Sequence, residues 1–372
     1  AVKHRLLNVL VNVSGVHRVR NTPIINQTQA TRNRGKKVSK FSLEVLNRIV
    51  FPHFHSEDPD ILQGAVFGED VALTRVGGDV LVSHVDPIVG AVQNIGWLAV
   101  HVACNDIATT GAPPQWIQLL VLVPHQDDEA LLEEIMRDVA KAAEETGTSI
   151  IGGHTGYSAA LSRPLVAVTA LGTMQGRQPV LTKGAQPGDH ILMTKGIALE
   201  GTAILAHDFS QAAQQLGLTS KDIENAKGLM SQVSVIPEAM VFGSNGATSM
   251  HDVTRGGLLE TLIEMASLAE VALEVDYDRI PQPEIAARFA KAFDFDPLKM
   301  ISSGTLVASA SEDKLEGVIT ALDEAEILWA DIGMVTLDKG VHIKKDSEVL
   351  HFQEIHPEED ELARMWTRYT PD

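Results

Sequence analysis

The sequence predicts an α/β (α+β) protein of two domains, each built on a mixed sheet, and three observations lead to this fold class. The chain has 372 residues, which is enough for two cores at about 150 residues per domain. From Phe41 onward, short β-branched runs alternate with amphipathic helical segments. A predicted hairpin breaks the strict strand–helix–strand order, which favours two mixed sheets over one doubly wound sheet.

Composition narrows the class of protein further. Hydrophobic residues make up 44% of the chain and charged residues 21%. Because no run of about 18 apolar residues occurs, we expect a globular protein without a membrane span. The one cysteine, Cys104, excludes an internal disulfide framework and a cysteine-based zinc site, as is typical of a reducing compartment. We therefore expect a cytoplasmic protein.

Charge is distributed unevenly along the chain. The formal net charge is −19, yet residues 1–40 hold nine Lys or Arg and no Asp or Glu. The remaining 21 basic and 49 acidic residues give the rest of the chain a net charge of −28. A body this acidic repels a phosphate backbone, so we expect no nucleic-acid partner.

Glycine, proline and charge divide the chain into four predicted segments. Residues 1–35 form a basic extension, which is either a targeting peptide or basic arm, or a flexible extension without a catalytic role. Residues 36–178 and 179–345 are the two predicted domains, because a turn-rich stretch separates them. Residues 346–372 are predicted to be an acidic tail.

The first domain is predicted to begin with a hairpin followed by a helix. β-branched runs at 71–76 and 80–89 are joined by Gly77-Gly78, a connection typical of hairpins. The apolar segment 94–110 predicts a helix, because Gly111 and two prolines follow it directly. This helix carries Cys104, which we expect to be a small core residue and not a nucleophile.

The rest of the first domain is predicted to be a strand, a long helix and two further strands. The segment 115–123 is strongly apolar, as expected for a buried strand. The helix predicted over 127–146 opens with three acids and closes at Gly147, which suits the helix dipole and a glycine cap. Strands at 149–153 and 165–174 complete the unit.

The second domain repeats the alternation of strands and helices. Predicted strands cover 190–194, 248–253, 271–277, 305–310 and 327–336. Predicted helices cover 200–208, 220–231, 237–242, 257–268, 283–293 and 312–326. Paired strands within this order again favour a mixed sheet.

Several acids lie at the ends of elements or in apolar surroundings. Asp70 precedes the first strand of the hairpin, Asp86 interrupts the second, and Asn105-Asp106 lies in the apolar helix. A buried acid is costly unless a cation or several donors stabilise it. One such acid can be a structural carboxylate that caps a loop. Several together favour a cluster of oxygen ligands that holds Mg²⁺ against substrate phosphates.

The segment 252–257 joins a predicted strand to a predicted helix. The strand ends at Asp252, and Thr254 can cap the helix that follows. Gly256-Gly257 allows the backbone N–H groups at the helix start to approach an anion, and Arg255 adds positive charge. A tight strand-to-helix turn would need only the threonine and the glycines, so the flanking Asp and Arg favour a phosphate site.

A second glycine-rich segment, Gly152-Gly153-His154-Thr155, is predicted to be a loop after a buried strand. It offers flexible backbone, an imidazole and a hydroxyl to a nucleotide, although a lone loop histidine more often makes an ordinary hydrogen bond. The sequence contains neither a P-loop nor a Rossmann fingerprint, and no Gly-x-Ser-x-Gly elbow of a hydrolase.

These motifs together resemble the aminoimidazole-ribonucleotide-synthetase superfamily, which includes selenophosphate synthetase, thiamine-monophosphate kinase and a hydrogenase-maturation protein. The form Asp252-Val253-Thr254-Arg255-Gly256-Gly257 is most similar to the hydrogenase-maturation branch. The resemblance covers about residues 36–345. The motifs that carry it, in order, are Gly68-Glu69-Asp70-Val71-Ala72, Asp86, Asn105-Asp106-Ile107-Ala108, Gly111-Ala112-Pro113-Pro114, Gly152-Gly153-His154-Thr155 and the Asp252 segment.

The resemblance implies a homodimer that pairs through the N-terminal sheets, binds ATP with Mg²⁺ and transfers a phosphoryl group to a small-molecule acceptor. It implies that Asp70, Asp86, Asp106 and Asp252 hold the metal, and that Asp252 and Arg255 are the catalytic residues. The residues implied to bind the nucleotide are Asn105, Gly152, Gly153, His154, Thr155, Thr254, Gly256 and Gly257. Such chemistry depends on positioned charge more than on a protein nucleophile.

Three departures from the family pattern concern the acceptor. His154 stands where relatives commonly have an acid, the chain ends in Tyr369-Thr370-Pro371-Asp372 without the reactive cysteine of the hydrogenase-maturation protein, and the N-terminal segment has no cysteine for selenium chemistry. We therefore expect that the ATP machinery is kept and the acceptor is different. The alternative is a nucleotide-binding assembly or maturation factor without turnover of its own.

Overall fold

The computed structural model describes residues 41–54, 57–88, 94–354, 356 and 359–372. The predicted basic extension lies outside these residues. All described residues belong to one compact unit, which contains two mixed sheets, one of six strands and one of seven. The predicted α/β class with two mixed sheets is therefore confirmed. No helix in the described part of the chain is long and apolar enough to cross a membrane.

The first sheet has the strand order β1-β2-β3-β6-β4-β5. Its pairs are antiparallel except β4 and β5, which run parallel. The predicted hairpin is confirmed, and Gly77 turns it with a φ of +61°. Its strands are β1 (Ile61–Gln63), β2 (Ala72–Val76), β3 (Asp79–Ile88), β4 (Pro114–Val123), β5 (Ser149–Tyr157) and β6 (Leu165–Thr173).

Three helices accompany this sheet: α1 (Leu43–Ile49), α2 (Ile95–Ala108) and α3 (Glu129–Thr146). Almost every residue of α2 is buried, because α3 covers one of its sides and the sheet another. The two helices approach so closely that a Cβ on Gly96 would lie 2.4 Å from the carbonyl oxygen of Ile135. The helix α3 ends at Gly147 in a left-handed cap, as its sequence predicts.

The second sheet has the strand order β13-β12-β9-β11-β7-β10-β8. Only the pair β12 and β9 is parallel; the other pairs are antiparallel. Its strands are β7 (His190–Thr194), β8 (Ser249–Asp252), β9 (Ala272–Asp276), β10 (Leu306–Ala310), β11 (Trp329–Thr336), β12 (Gly340–Lys345) and β13 (Glu348–Phe352).

Eight helices surround the second sheet within the described residues: α4 (Leu199–Asp208), α5 (Ser210–Gln215), α6 (Ser220–Lys227), α7 (Ile236–Asn245), α8 (Gly257–Ala269), α9 (Glu284–Phe293), α10 (Glu312–Glu324) and α11 (Glu361–Arg368). Short 3-10 helices occur at Phe51–His53, Thr182–Gly184, Gly228–Gln232, Tyr277–Arg279 and Pro297–Lys299.

The segment predicted to be an acidic tail is built into the second half of the molecule. Strand β13 pairs with β12 along its whole length. Helix α11 buries Leu362 and Met365, and the ring of Trp366 lies edge-on to Phe209 at 4.9 Å. Although this segment is acidic in composition, helix α11 carries a narrow stripe of apolar side chains with helical spacing. This stripe explains how the segment packs.

Two polar side chains of the first half are hydrogen-bonded to backbone of the second. The amide of Asn105 donates to the carbonyl of Val233 and accepts from the N–H of Val235. The carboxylate of Glu69 accepts from the N–H groups of Thr182 and Lys183. The bonds of Asn105 fix the end of α2 against the segment that precedes Ile236–Asn245, and Asp106, the next residue of α2, lies near strand β8.

Candidate functional site

Three of the predicted acids come together where α2 and β3 meet strand β8. Asp106 lies on α2, Asp252 ends β8, and Asp70 directly precedes β2. Two histidines join them, one from β3 and one from β8. We call this group the interdomain cluster, and it consists of Asp70, His84, Asp106, His251, Asp252 and Glu264.

Asp252 is the most unusual member of the interdomain cluster. Its side chain is 0% exposed, and neither carboxylate oxygen has a hydrogen-bond donor among the described residues. The Nδ1 atom of His251 lies 3.7 Å from Oδ1 of Asp252, too far for a good hydrogen bond. A buried carboxylate without donors is strongly unfavourable, so the arrangement favours a cation beside these oxygens.

A group of three residues could hold such a cation. Asp70, His251 and Asp252 each offer one ligand atom, and these atoms lie within 4.8 Å of one another. The Nε2 atom of His251 is 3.6 Å from Oδ2 of Asp70 and 3.1 Å from Oε2 of Glu264. Although burial alone would lower it, the pKa of His251 is well above its ordinary value because these carboxylates surround the ring.

Asp106 has a different partner. Its Oδ2 atom lies 2.9 Å from Nε2 of His84, and Nδ1 of His84 contacts the main-chain oxygen of Asp70. Burial alone would lower the pKa of His84, but the charges of Asp106 and Asp70 raise it to about 10. Burial raises the pKa of Asp106, and the contact with His84 opposes that effect, so the imidazole and the carboxyl group form one buried pair.

Asp86 is the predicted metal ligand that the described structure does not group with the others. It lies on β3 two residues beyond His84. Its charge acts on Glu200 at the start of α4: burial raises the pKa of Glu200, and Asp86 raises it further. The Oε2 atom of this buried glutamate has no hydrogen-bond donor in the described chain.

The turn between β8 and α8 requires both of its glycines. Gly256 and Gly257 have φ angles of +85° and +67°. A Cβ on Gly257 would lie 2.5 Å from the carbonyl oxygen of Leu298. The prediction that the side chain of Thr254 caps α8 is wrong, because Gly256 is the N-cap. The main-chain oxygen of Thr254 instead accepts from Gly257 N–H at 3.1 Å.

Arg255 points from this turn toward the C-terminal helix. Its Nη1 atom lies 3.0 Å from Oδ2 of Asp360, and Asp360 also caps α11 by accepting from the N–H of Ala363. The positive charge of Arg255 also acts on Glu200 at the start of α4, where it opposes the effect of burial on the pKa of that carboxyl group. Arg255 is thus held by an acid 105 positions away in the sequence.

The segment 152–155, predicted to be a nucleotide-binding loop, is not a loop, because these residues belong to strand β5. The strand is the last one in its sheet and is mostly exposed. A Cβ on Gly153 would lie 2.0 Å from the carbonyl oxygen of Leu119, so this glycine allows two strand backbones to approach closely. Gly152, His154 and Thr155 are exposed neighbours on the same strand.

Asn105, also predicted to bind nucleotide, makes structural contacts in the described part of the chain. Its amide is fully buried and bonded at both ends to the backbone of Val233 and Val235. The role of His84, His251 and Glu264 was missed from the sequence. A signal did exist for the histidines, since each places a polar side chain on a strand with an acid close by in sequence.

A cavity of about 680 Å³ opens beside Asp70. Its apolar lining includes Phe41, Leu46, Phe51, Val66 and Ile263. The charged side chains that line it are all acidic in the described part of the chain: Glu44, Glu69, Asp70, Glu260, Glu264 and Glu354. A cavity of this size next to a cluster of titratable residues is typical of a ligand site, and its six carboxyl groups make this one acidic.

The fold and the interdomain cluster define a class of two-domain α/β proteins in which carboxylates from both halves meet at one interface. Family models identify the particular family. Residues 68–174 match the N-terminal domain of AIR synthase related protein, and residues 186–346 match its C-terminal domain. The chain belongs to the AIR synthase-related family.

Several characterised proteins are similar to this chain. Carbamoyl dehydratase HypE of Rhizobium leguminosarum bv. viciae is 27% identical over 276 residues, which cover 72% of this chain and 76% of that protein. Selenide, water dikinase of Carboxydothermus hydrogenoformans is 25% identical and covers 82% of this chain and 95% of that protein. The crystal structure of hydrogenase maturation protein HypE in complex with ATP aligns with a TM-score of 0.60 at 23% identity, covering 85% and 95% of the two chains.

Proposed function

We propose that this protein binds ATP together with Mg²⁺ or a similar hard cation and transfers a phosphoryl group to a small-molecule acceptor. The observation that carries the proposal is the fully buried Asp252, whose carboxylate oxygens lack donors in the described residues. The relatives support it, since one is named a dikinase and another was crystallised with ATP.

The residues of the site fit a divalent cation. Asp252 offers two free oxygens, and Asp70 is partly exposed and within reach of the same point. Oxygen donors of this kind suit Mg²⁺, which keeps several waters and binds through one or two carboxylates plus substrate phosphates. When bound, the cation would neutralise charge on the phosphates. Without it, the acids of the interdomain cluster would repel a triphosphate.

The protein's own residues would orient and neutralise the substrate. Asp70 and Asp252 would hold the cation, and the pairing with His84 would keep Asp106 from adding a further uncompensated charge. The N-terminus of α8 and the nearby Arg255 would face phosphate oxygens, which helix N-termini and guanidinium groups favour. We propose Asp252 and Arg255 as catalytic residues, because each would hold a charge in position at the phosphates.

The cavity beside Asp70 is the proposed acceptor site. Its lining combines aromatic and aliphatic side chains with acids and contains no basic side chain among the described residues. An acceptor with an apolar body and without negative charge suits this lining, whereas an anionic acceptor would be repelled. Glu264 and Asp70 belong to both the cavity and the interdomain cluster, so an acceptor there would lie next to the phosphates.

We also propose that the protein is a homodimer that pairs through its first sheet. The sheet exposes large apolar side chains on β4 and β5, among them Trp116, Leu120, Ile150, Ile151 and Tyr157. An exposed apolar surface of this kind is typical of an interface. Ile151→Asp should shift the protein from dimer to monomer in analytical ultracentrifugation, whereas Val349→Asp on β13 should leave the mass unchanged. An Ile151→Asp variant that keeps the wild-type mass would contradict this interface.

The experiment that tests the function is calorimetry of ATP binding with Mg²⁺ and with EDTA, followed by a screen of acceptors for ADP formation. We expect binding with Mg²⁺ and at least a 100-fold weaker affinity in EDTA, because the acids then face bare phosphates. Equal affinity in EDTA would contradict the role of the acids. Metal-dependent binding without ADP formation for any acceptor would favour the alternative, an assembly or maturation factor without turnover.

A further inference from the structure

We propose that His342, His351 and Glu274 form a surface site for a divalent transition metal of the copper and nickel class. The three residues lie on neighbouring strands at one edge of the second sheet, Glu274 on β9, His342 on β12 and His351 on β13. None of them belongs to the interdomain cluster, so the inference goes beyond the proposed function and does not depend on it.

The register of the sheet places the three side chains in one row. Strands β12 and β13 are antiparallel, and His342 is directly opposite His351. Strands β12 and β9 are parallel, and His342 is paired there with Glu274. Neighbouring strands lie about 4.8 Å apart, and paired residues share one face of a sheet. A metal above His342 is therefore within reach of a side chain from the strand on either side.

This row lies on the face of the sheet that is turned away from the core. Val341 and Ile343, the neighbours of His342 along β12, are completely buried in the core of the second half. Because successive side chains of a strand point to opposite faces, His342 points to the other face. His351 and Glu274 are exposed, so a metal ion with its waters can reach the row from solvent.

The hairpin holds the two histidines opposite each other before any metal binds. Its turn has two residues, Asp346-Ser347, with Asp346 at a φ of +55°. A turn of this length fixes the register of the two strands. Ligands that are already placed side by side lose little conformational freedom on binding, which favours affinity.

The separation of the two rings fits two imidazoles bound to one metal. The ring centres of His342 and His351 lie 4.5 Å apart. A metal about 2.0–2.1 Å from an imidazole nitrogen is about 3.2 Å from the centre of that ring. Two rings at a right angle around the metal then have centres about 4.5 Å apart, whereas a tetrahedral angle requires about 5.2 Å. The observed value therefore matches the tetragonal geometry of Cu²⁺ and Ni²⁺.

Glu274 supplies an oxygen donor next to the two nitrogens. The hydroxyl of Thr336 donates to Oε1 of Glu274 at 3.2 Å, in an exposed hydrogen bond. Such a bond exchanges readily with water, so the carboxylate can turn from Thr336 toward His342. Two imidazoles, one carboxylate and retained water form a donor set whose affinity follows the Irving–Williams order and is highest for Cu²⁺.

The test uses the full-length chain without nucleotide, Cu²⁺ as the probe and excess Mg²⁺ throughout. Electron paramagnetic resonance titration gives the stoichiometry and affinity, Zn²⁺ competition gives the selectivity, and electron spin-echo modulation counts the imidazole nitrogens on the metal. We expect one Cu²⁺ per chain with two imidazole nitrogens, bound at least 10-fold more tightly than Zn²⁺.

Three variants and a matched control make the test specific. His342→Asn and His351→Asn should each leave one coupled nitrogen and weaken Cu²⁺ binding at least 10-fold. Glu274→Gln should keep both nitrogens and weaken binding about 3- to 10-fold. His125→Asn removes an exposed histidine from the loop between β4 and α3, and it should change neither quantity.

A wild-type spectrum without two coupled nitrogens would overturn the inference, and so would two nitrogens that persist in His342→Asn or His351→Asn. Equal affinities for Cu²⁺ and Zn²⁺ would contradict the right-angle geometry, and an unchanged affinity in Glu274→Gln would contradict the three-ligand set. The wild-type spectrum decides the matter even if a variant fails to fold.

Discussion

Two histidine–carboxylate clusters in this molecule look alike in composition and differ in what they leave unsatisfied. In the surface cluster, His190 contacts Asp331 through Nδ1 and Glu312 through Nε2, both at 2.8 Å. Each ring nitrogen has a partner, and each carboxylate is partly open to solvent. In the interdomain cluster, the carboxylate of Asp252 is completely buried and lacks donors in the described residues.

The difference teaches that the presence of acids near a histidine does not by itself identify a functional site. In a surface ion pair each charged group already has a partner and water screens the charges, so the pair contributes little to stability. A buried carboxylate whose oxygens have no donor destabilises the folded protein. Such unfavourable groups are concentrated at sites that bind a ligand. The comparison can be tested by removing equivalent charges from both clusters.

The largest expected difference is in cation binding. Asp252→Asn should weaken Mn²⁺ or Mg²⁺ binding at least 100-fold, because it removes a direct ligand and even outer partners of ligands contribute 10- to 100-fold. The metal-free variant should be as stable as wild type or more stable by about 1 kcal/mol, since a buried unpaired charge is lost.

Asp331→Asn is the matched control for this prediction, because it removes the same group from the surface cluster. Its cation affinity should equal that of wild type in the same calorimetric titration. Equal losses in both variants would mean that the effect of Asp252 is a general change of protein charge.

A second expected effect concerns Asp106. Asp106→Asn should lower the pKa of His84 from about 10 toward its ordinary value, because the main opposing charge is lost. Breaking this buried pair should reduce the free energy of unfolding by about 3–5 kcal/mol at neutral pH. Histidine NMR gives the pKa and urea unfolding gives the stability.

The double variant Asp106→Asn/His84→Asn provides the control, since it removes both charges and should recover part of the lost stability. Cation affinity should fall much less than in Asp252→Asn, because His84 already compensates Asp106. A loss as large as that of Asp252→Asn would make Asp106 a direct ligand, as the family resemblance implies.

The surface cluster should give a smaller, pH-dependent effect. Burial alone would lower the pKa of His190, but hydrogen bonds to Asp331 and Glu312 raise it above its ordinary value. The folded protein therefore holds this proton more tightly than the unfolded chain. The stabilisation is fully present below about pH 6.5, the unfolded pKa, and is lost as the pH rises through the folded pKa.

His190→Asn should consequently lower the free energy of unfolding at pH 5.5 by under about 1 kcal/mol and have a smaller effect at pH 9. Urea unfolding of both proteins at the two pH values measures this. An equal loss of stability at both pH values would show that the ring acts by packing and not by charge.

The smallest expected effect on cation binding concerns Cys104, a buried thiol on α2 two residues before Asp106. Burial, with a contribution from Asp106, raises the pKa of the Cys104 thiol to about 12. The native protein should not react with a maleimide at pH 7, although the unfolded chain should. Cys104→Ser should cost about 1 kcal/mol of stability and leave cation binding unchanged. Rapid modification of the native thiol would contradict this burial.

The sequence predicts most of the fold because the residues that begin and end its helices and strands act locally. Strand β7 matches its predicted bounds, α3 ends where Gly147 follows, and α2 ends two residues before its predicted end. Strand β5 is where local reasoning fails: Gly152-Gly153 suggests a loop, yet its glycines serve a close approach to β4 that depends on tertiary pairing. The final strands and helix α11 were missed because their apolar stripe is short and surrounded by acids.

The candidate site was only half predictable for a related reason. Acids in apolar surroundings are visible in the sequence, and three of the four predicted metal ligands do meet. Whether the negative charge of an acid is compensated depends on the partner that the fold places beside it. His84 and Asp106 are 22 positions apart in the sequence, and no spacing rule connects a strand residue with a helix residue across a sheet.

The pair of Arg255 and Asp360 couples the proposed phosphate site to the length of the connection between β13 and α11. Asp360 fixes the start of α11 and holds the guanidinium of Arg255 at the same time. An insertion or deletion in residues 353–359 would shift this anchor and redirect the guanidinium, without altering any residue of the family motif. Homologues with an identical motif but a different spacing here would then handle phosphate differently, so this spacing is a useful criterion for sorting them.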